Sequence, residues 1–267
     1  MSGKAYIGIN GAARKIAKGY VGIGGAARRI KKAYIGVGGV ARLCWQNGAT
    51  LGSKAVGEYV YLNVNGEARE FIIVQQGNPD ETMYDASCNG TWLLMTDVYT
   101  VMPWSDSSTP NNDYNNSGLQ ARIILEFFEA LDSTAKSYAV DAILPYQLGT
   151  GADGSIAAGA DGMNAQAFLL SAYEVGLEAD DALSFPADGV ALSYFAEGGF
   201  LRRIAKFEGN TYAWWCRTPI LATADRAVCI DPEGFATDEV CSVEVGVRPA
   251  LILDPSAPID ASGHITG

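Results

Sequence analysis

The chain has 267 residues, 48% of them apolar and 10% aromatic, ample material for a buried core, which excludes disorder for the chain as a whole. Its single histidine, His264, lies three residues from the end of the sequence, which excludes a His-based triad in the core and a multi-His metal site. The net charge of −11 is unevenly spread: residues 1–54 carry ten basic residues and no Asp or Glu, and the other 213 carry 9 basic and 30 acidic ones.

Two unlike modules therefore share the chain. The basic charges of the first are spaced by a repeat rather than bunched, and the acidic remainder repels phosphates, so no nucleic-acid partner is expected. No apolar run approaches the roughly 18 residues of a membrane helix. The first residues, MSGKAYIGINGAARKI, place glycines and arginines where a signal peptide has its apolar region. Synthesis and folding in a cytosol, without membrane insertion, are the expectation. Cys44, Cys88, Cys216, Cys229 and Cys241 are an odd number at irregular spacing with no C-x-x-C, pointing to small buried residues rather than a disulfide scaffold or zinc ribbon. No metal or cofactor is expected.

In chain order, residues 1–45 hold three copies of one unit, AYIGINGAARKI from Ala5, GYVGIGGAARRI from Gly19 and AYIGVGGVARLC from Ala33, with Tyr6, Tyr20 and Tyr34 at a period of 14. Each reads as a β-hairpin around a two-residue turn, Asn10-Gly11, Gly24-Gly25 or Gly38-Gly39. In that register Ile7 and Ile9 share a face with Ala12 and Ile16, and Tyr6 shares the other with Lys15. A lone hairpin is marginal in water, so the copies are expected to bury their faces and act as an oligomerisation or attachment stem. Residues 46–55, including the turn-rich Gln46–Ser53, read as a linker to a main domain over 56–267.

That domain opens with a hairpin, Glu58–Val64 and Glu67–Val74 around Asn65-Gly66. Residues 77–90 read as polar loop and Thr91–Tyr99 as a short strand or buried segment containing Trp92. Ser117-Gly118-Leu119-Gln120 matches a capping box, and Leu119, Ile123, Ile124, Phe127, Phe128 and Leu131 form a stripe at helical spacing behind it. A second, shorter helix is expected over Ser133–Ala142, stopped before Pro145. Ala-Asp-Gly recurs at 152–154, 160–162 and 187–189; without the spacing of a calcium loop, these read as surface turns. Phe168–Tyr173 is a short apolar segment, and 214–253 is β-like. Helices in the middle with hairpins at both ends give an α+β domain. No nucleotide-binding or α/β-hydrolase motif is present.

Trp214-Trp215-Cys216-Arg217-Thr218-Pro219, a gap of 26 residues, then Gly246-Val247-Arg248-Pro249-Ala250-Leu251 resembles the W-W-x-R-[ST]-P … G-V-R-P-A-L signature of a prophage and gut-bacterial domain family. Val56–Asn65, Asn112-Asp113-Tyr114, Phe168-Leu169-Leu170-Ser171 and Tyr173-Glu174-Val175-Gly176 are similar to further blocks of that family, and the hairpin repeats resemble those of its phage members. Cys216 stands where Leu is usual. The resemblance implies a C-type-lectin-like fold, shared with formylglycine-generating enzymes and with the variable proteins of diversity-generating retroelements, in which a reverse transcriptase rewrites a segment of the exposed binding face.

Residues 214–251 would then be the variable region, with Trp214, Trp215, Arg217, Pro219, Gly246, Arg248 and Pro249 as its framework. The spacer Ile220–Val245 lacks the Asn- and Ser-rich composition common in the family; diversification and simple divergence both produce that departure. The implied contact residues are Ile220, Leu221, Thr223, Asp225, Arg226, Cys229, Asp231, Glu233, Phe235, Thr237, Asp238, Glu239, Ser242 and Glu244. Val228 and Ile230 are set aside because strand residues alternate in direction. On chemistry alone the indoles of Trp214 and Trp215 suit a core anchor with partnered N–H groups, and Arg217 and Arg248 suit pairing with buried carboxylates or carbonyls.

The function implied is binding rather than catalysis: a phage tail or tail-fibre adhesin, trimeric through residues 1–45, which also meet other virion proteins. It would be made in the bacterial cytoplasm, carried on the virion, and contact a bacterial surface receptor, protein or glycan. The alternatives are an undiversified structural component of the virion or of the bacterial surface, and an oxidase of the formylglycine type using Cys216, Cys229 or Cys241 beside Arg217 or Arg226.

Overall fold

A hairpin built on Asn-Gly seeds the first sheet of the head. In the computed structural model Asn65 (φ 53°) and Gly66 (φ 80°) both take the left-handed conformation that a two-residue hairpin turn requires. Val64 then faces Glu67 across strands Tyr59–Val64 and Glu67–Gln76. Val60, Leu62 and Val64 point into the core and alternate with more exposed neighbours. The structure describes strand backbone within residues 6–46 and whole residues over 49–266, except 108–110, 148–154, 180–182, 197 and 222.

Two further antiparallel strands complete this sheet in the order 250–253, 91–95, 67–76, 59–64. Thr91–Met95, flanked on both sides, is buried at every residue. Trp92 meets Tyr84 and Phe168 edge-on at 5.6 and 5.7 Å between ring centres. A second, five-stranded sheet runs in the order Thr100–Met102, Val245–Val247, Trp214–Pro219, Arg226–Ile230, Ala236–Val240. Val245–Val247 and Ala250–Leu253 are joined by Arg248-Pro249, so the second signature block carries the chain from one sheet to the other. Among the fully described residues strand outweighs helix, 35% against 14%, in an α+β architecture.

Ser117 does cap a helix, its hydroxyl accepting from the Gln120 N–H at 3.0 Å, but the box is half-formed: the Gln120 side chain donates instead to the Ala167 carbonyl at 2.9 Å. The helix is α over Gly118–Arg122 and widens to a π-helix over Ile123–Phe128, with Glu129 N–H donating to Ile124 O at 3.1 Å. Leu119, Ile123, Phe127, Phe128 and Leu131 are buried, whereas the widened turn leaves Ile124 half-buried.

Two expectations are corrected. The helix expected over Ser133–Ala142 is a single turn, Ser133–Lys136, capped by Asp132. Val140 N–H bonds to Ile252 O and Ala142–Leu144 pairs with Met163–Ala165, so sheet contacts override the local preference. The linker expected over 46–55 is largely part of the head. Ala49–Thr50 pairs with Pro258–Ile259, and Leu51 is fully buried with its N–H bonded to Ala257 O. Gly52 lies so close to Pro255 that a Cβ there would sit 2.7 Å from the proline side chain.

The three repeats form three hairpins: Tyr6–Ile9 with Ala12–Lys15, Gly19–Ile23 with Ala26–Ile30, and Lys32–Val37 with Val40–Gln46. Tyr6 faces Lys15 and Ile9 faces Ala12, as the repeat register requires. The expected turn residues, the Ile16 position and the burial of the hairpin faces lie outside the described residues. Among the described residues no helix is long and apolar enough to cross a membrane, a statement that does not touch β-barrels.

Candidate functional site

The two signature blocks meet inside the head. Trp214, Trp215, Arg217, Pro219, Gly246, Arg248 and Pro249 are all buried. Trp214 Nε1 donates to Arg203 O at 2.8 Å and Trp215 Nε1 to Met102 O at 3.1 Å, so both indoles are partnered as buried indoles need to be. Gly246 pairs with Trp214, and a Cβ there would lie 2.5 Å from Ala213 O, which leaves room for glycine alone.

Arg217 sits at the centre of a buried polar network. Its Nη1 and Nη2 bind Glu174 Oε2 and Oε1 at 2.5 and 2.6 Å, Nε donates to Pro145 O, and further bonds reach Leu169 O and Asp188 O. Glu174 also accepts from the Tyr84 hydroxyl at 2.9 Å and the Ser171 N–H at 2.9 Å. Desolvation pushes the guanidinium down, but the Glu174 carboxylate outweighs it and holds Arg217 above its ordinary value. Beside it, Asp188 accepts from the Thr218 hydroxyl at 2.8 and 3.0 Å. Burial pushes the Asp188 carboxyl up to about 6, against the opposing pull of Arg217. The expectation of a surface turn at 187–189 is thus overturned, because Asp188 is fully buried as the acceptor for Thr218. The copy at 160–162 is a turn with Asp161 exposed, and the copy at 152–154 lies outside the described residues.

The spacer between the blocks is a loop followed by a hairpin. Asn112 holds the loop: its Nδ2 lies 3.0, 2.9 and 2.9 Å from the carbonyls of Ile220, Thr223 and Arg226, which share two protons, while its N–H bonds to Ala224 O. The hairpin pairs Arg226–Ile230 with Ala236–Val240. Its turn is organised by Asp231, which accepts from the N–H groups of Glu233 and Phe235, and by Gly234 at φ 91°. A Cβ on Gly234 would lie 2.2 Å from Phe200 O, and Arg203 Nε donates to Gly234 O at 2.9 Å, so the turn is docked on Phe200–Arg203.

The fourteen expected contact residues fall into three groups. Thr223, Asp225, Glu233, Phe235, Ser242 and Glu244 are exposed. Leu221, Arg226, Asp231, Thr237, Asp238 and Glu239 are half-buried; within this group Asp231 is engaged in the turn and Arg226 in an ion pair with Asp238 across the hairpin. Ile220 and Cys229 are buried and are corrected to core positions. Val228, Cys229 and Ile230 are all fully buried, so both faces of this central strand are covered and the simple alternation fails.

Sequence reasoning passed over the partner of the exposed aromatic. Phe235 stacks on Phe200, ring centres 4.7 Å apart and 19° from parallel, with Phe235 51%, Phe200 41% and Leu201 66% exposed. The Gly198-Gly199-Phe200-Leu201 run, two glycines before two large apolar residues, marks an apolar turn in the sequence but not the partner it stacks on. Asn112 and Glu174 lay within recognised blocks but without assigned roles.

Cys88, Cys216, Cys229 and Cys241 are free and buried. Burial pushes the thiols of Cys88 and Cys241 up to about 12 and those of Cys216 and Cys229 upward as well. Among the described residues no group of three or more His, Cys, Asp or Glu is placed to hold a metal ion.

No curated protein and no solved structure matches the chain. Residues 89–255 match a family described as Domain of unknown function (DUF6273), a span that includes both signature blocks, Asn112 and Glu174. As that span is more than half of the chain, the protein belongs to the DUF6273 family.

Proposed function

We propose that this protein is a receptor-binding protein, a phage tail or tail-fibre adhesin with a C-type-lectin-like head, diversified in the spacer between its two signature blocks. The observation that carries the reading is the Phe200–Phe235 stack with Leu201, a large exposed apolar surface on a braced turn. Exposed aromatics on rigid scaffolds mark recognition sites, because they contribute contact area with little conformational entropy to lose. Elsewhere on the spacer Asp225, Glu233, Ser242 and Glu244 are open to solvent, and this acidic surface favours a protein or cationic partner on the bacterial surface over an anionic glycan.

The three hairpins over residues 6–46 support a stem that brings heads together in a trimer, so that weak single contacts gain by avidity. Against the oxidase alternative stands the chemistry of the described cysteines: buried thiols with raised pKa values supply little thiolate at neutral pH. The coding DNA tests the diversified reading. An adjacent near-copy of the segment encoding Trp214–Leu251, differing at adenines and accompanied by a reverse transcriptase gene, is the expected result. Absence of both overturns diversification and leaves an undiversified adhesin, which cell binding tests separately.

A further inference from the structure

The arginines of the two signature blocks live in opposite surroundings. Arg217 has a bidentate carboxylate and three backbone carbonyls. Arg248, 3% exposed, has Met95 O at 2.8 Å from Nε and the face of Trp214 at 5.0 Å, and its buried Nη1 has no partner among the described residues. A guanidinium without a counter-ion in such a place is costly, and burial accordingly pushes Arg248 down to about 10.

Arg248 lines a cleft of about 400 Å³, within the range of small-molecule sites. Thr96 lines it too, and its Oγ1 is a second buried polar atom without a partner among the described residues. Arg202 and Lys206 bring two more cations to the walls against one carboxylate, Asp97, which accepts a hydrogen bond from the Lys206 N–H. Tyr59, Ile72 and Leu201 give the cleft apolar surface. Two unpartnered buried polar atoms in one cleft, with an excess of positive charge, are what an anionic ligand completes.

We propose that this cleft binds a small carboxylate-bearing molecule, the carboxylate meeting the Arg248 guanidinium and the Thr96 hydroxyl and an apolar body lying against Tyr59, Ile72 and Leu201. One buried guanidinium with Asp97 in the wall suits a monoanion better than a phosphate dianion. No described residue of the 220–245 spacer lines the cleft; Leu201 borders both surfaces, but Arg248, Thr96 and Lys206 belong to the cleft alone, so substitutions at these three test the site apart from the adhesin reading.

The test is thermal unfolding of the full chain with sodium benzoate and sodium hexanoate as probes, alongside benzyl alcohol, inorganic phosphate and sodium chloride at matched ionic strength. Benzoate or hexanoate is expected to raise the Tm with the logarithm of its concentration above Kd, by about 3 °C at ten times its Kd. Benzyl alcohol and chloride should leave it unchanged. Arg248→Met should abolish the response. Should that variant fail to fold, Thr96→Val and the exposed Lys206→Ala decide, each expected to weaken binding about tenfold, the equivalent of one good charge-assisted contact. A Tm unchanged by both carboxylates, or raised no more than by benzyl alcohol and chloride, overturns the proposal, as does a response in both Thr96→Val and Lys206→Ala equal to that of the parent. Tighter binding of phosphate overturns the assignment to carboxylates.

Discussion

The buried pair of Arg217 and Glu174 joins the first signature block to the segment around residue 174, and its geometry sets the cost of disturbing it. Glu174→Gln leaves a buried guanidinium without its counter-ion and is expected to lower stability by about 3–5 kcal/mol in urea unfolding. A loss below about 1 kcal/mol would mean that the carbonyls around Arg217 suffice. Asp188 offers a test in pH. Its folded value of about 6 lies above the ordinary 3.8, so between these values the folded chain holds the extra proton. Its stabilising contribution is complete below about pH 4 and lost as pH rises through 6, about 3 kcal/mol in all. Asp188→Asn keeps an acceptor for Thr218 and removes the titration, so the variant should gain on the parent between pH 4 and 7; a pH-independent difference would contradict the assignment. The sequence carries no mark of this residue's burial, because Ala-Asp-Gly reads locally as a turn and its meaning depends on Thr218, thirty residues away.

The spacer's loop and hairpin hold their shape through a few polar groups rather than a long ladder. Asn112→Ala removes the amide that gathers the carbonyls of Ile220, Thr223 and Arg226, and hydrogen exchange at Ile220 and Cys241, whose N–H groups bond to Arg226 O and Asp225 O, should speed up about tenfold or more. Unchanged protection would place control of the loop elsewhere. Elements with strong local chemistry were legible in the sequence: Asn65-Gly66 fixed the 59–76 hairpin, the 14-residue period set the register of the repeats, and Ser117 marked its helix. Where distant partners decide, local patterns misled. Ala142–Leu144 joined a strand twenty residues on, Ala49–Thr50 paired with Pro258–Ile259, and Cys229 was enclosed by strands on both sides. Among the contact residues, the exposed set was legible as loop chemistry, but the stacking of Phe235 on Phe200 required the docking of two turns far apart in sequence.

At the scale of the whole molecule, a hairpin-repeat segment precedes a head built on a four-stranded and a five-stranded sheet with smaller two-stranded pairs, one of which joins its first and last strands. If the hairpins assemble subunits, light scattering should find the full chain as a trimer and residues 49–267 as a folded monomer; a full chain that stays monomeric contradicts the stem. The proposed function gives recognition to the head, through the braced aromatic stack. Flow cytometry of a panel of gut bacterial strains with fluorescently labelled full chain, comparing the parent with Phe200→Ser/Phe235→Ser of equal thermal stability, tests that assignment most directly. The parent should stain a restricted set of strains and the double variant should lose at least about tenfold in apparent affinity, as the loss of a binding hot spot implies. Staining of no strain, or undiminished staining by the double variant, would contradict it.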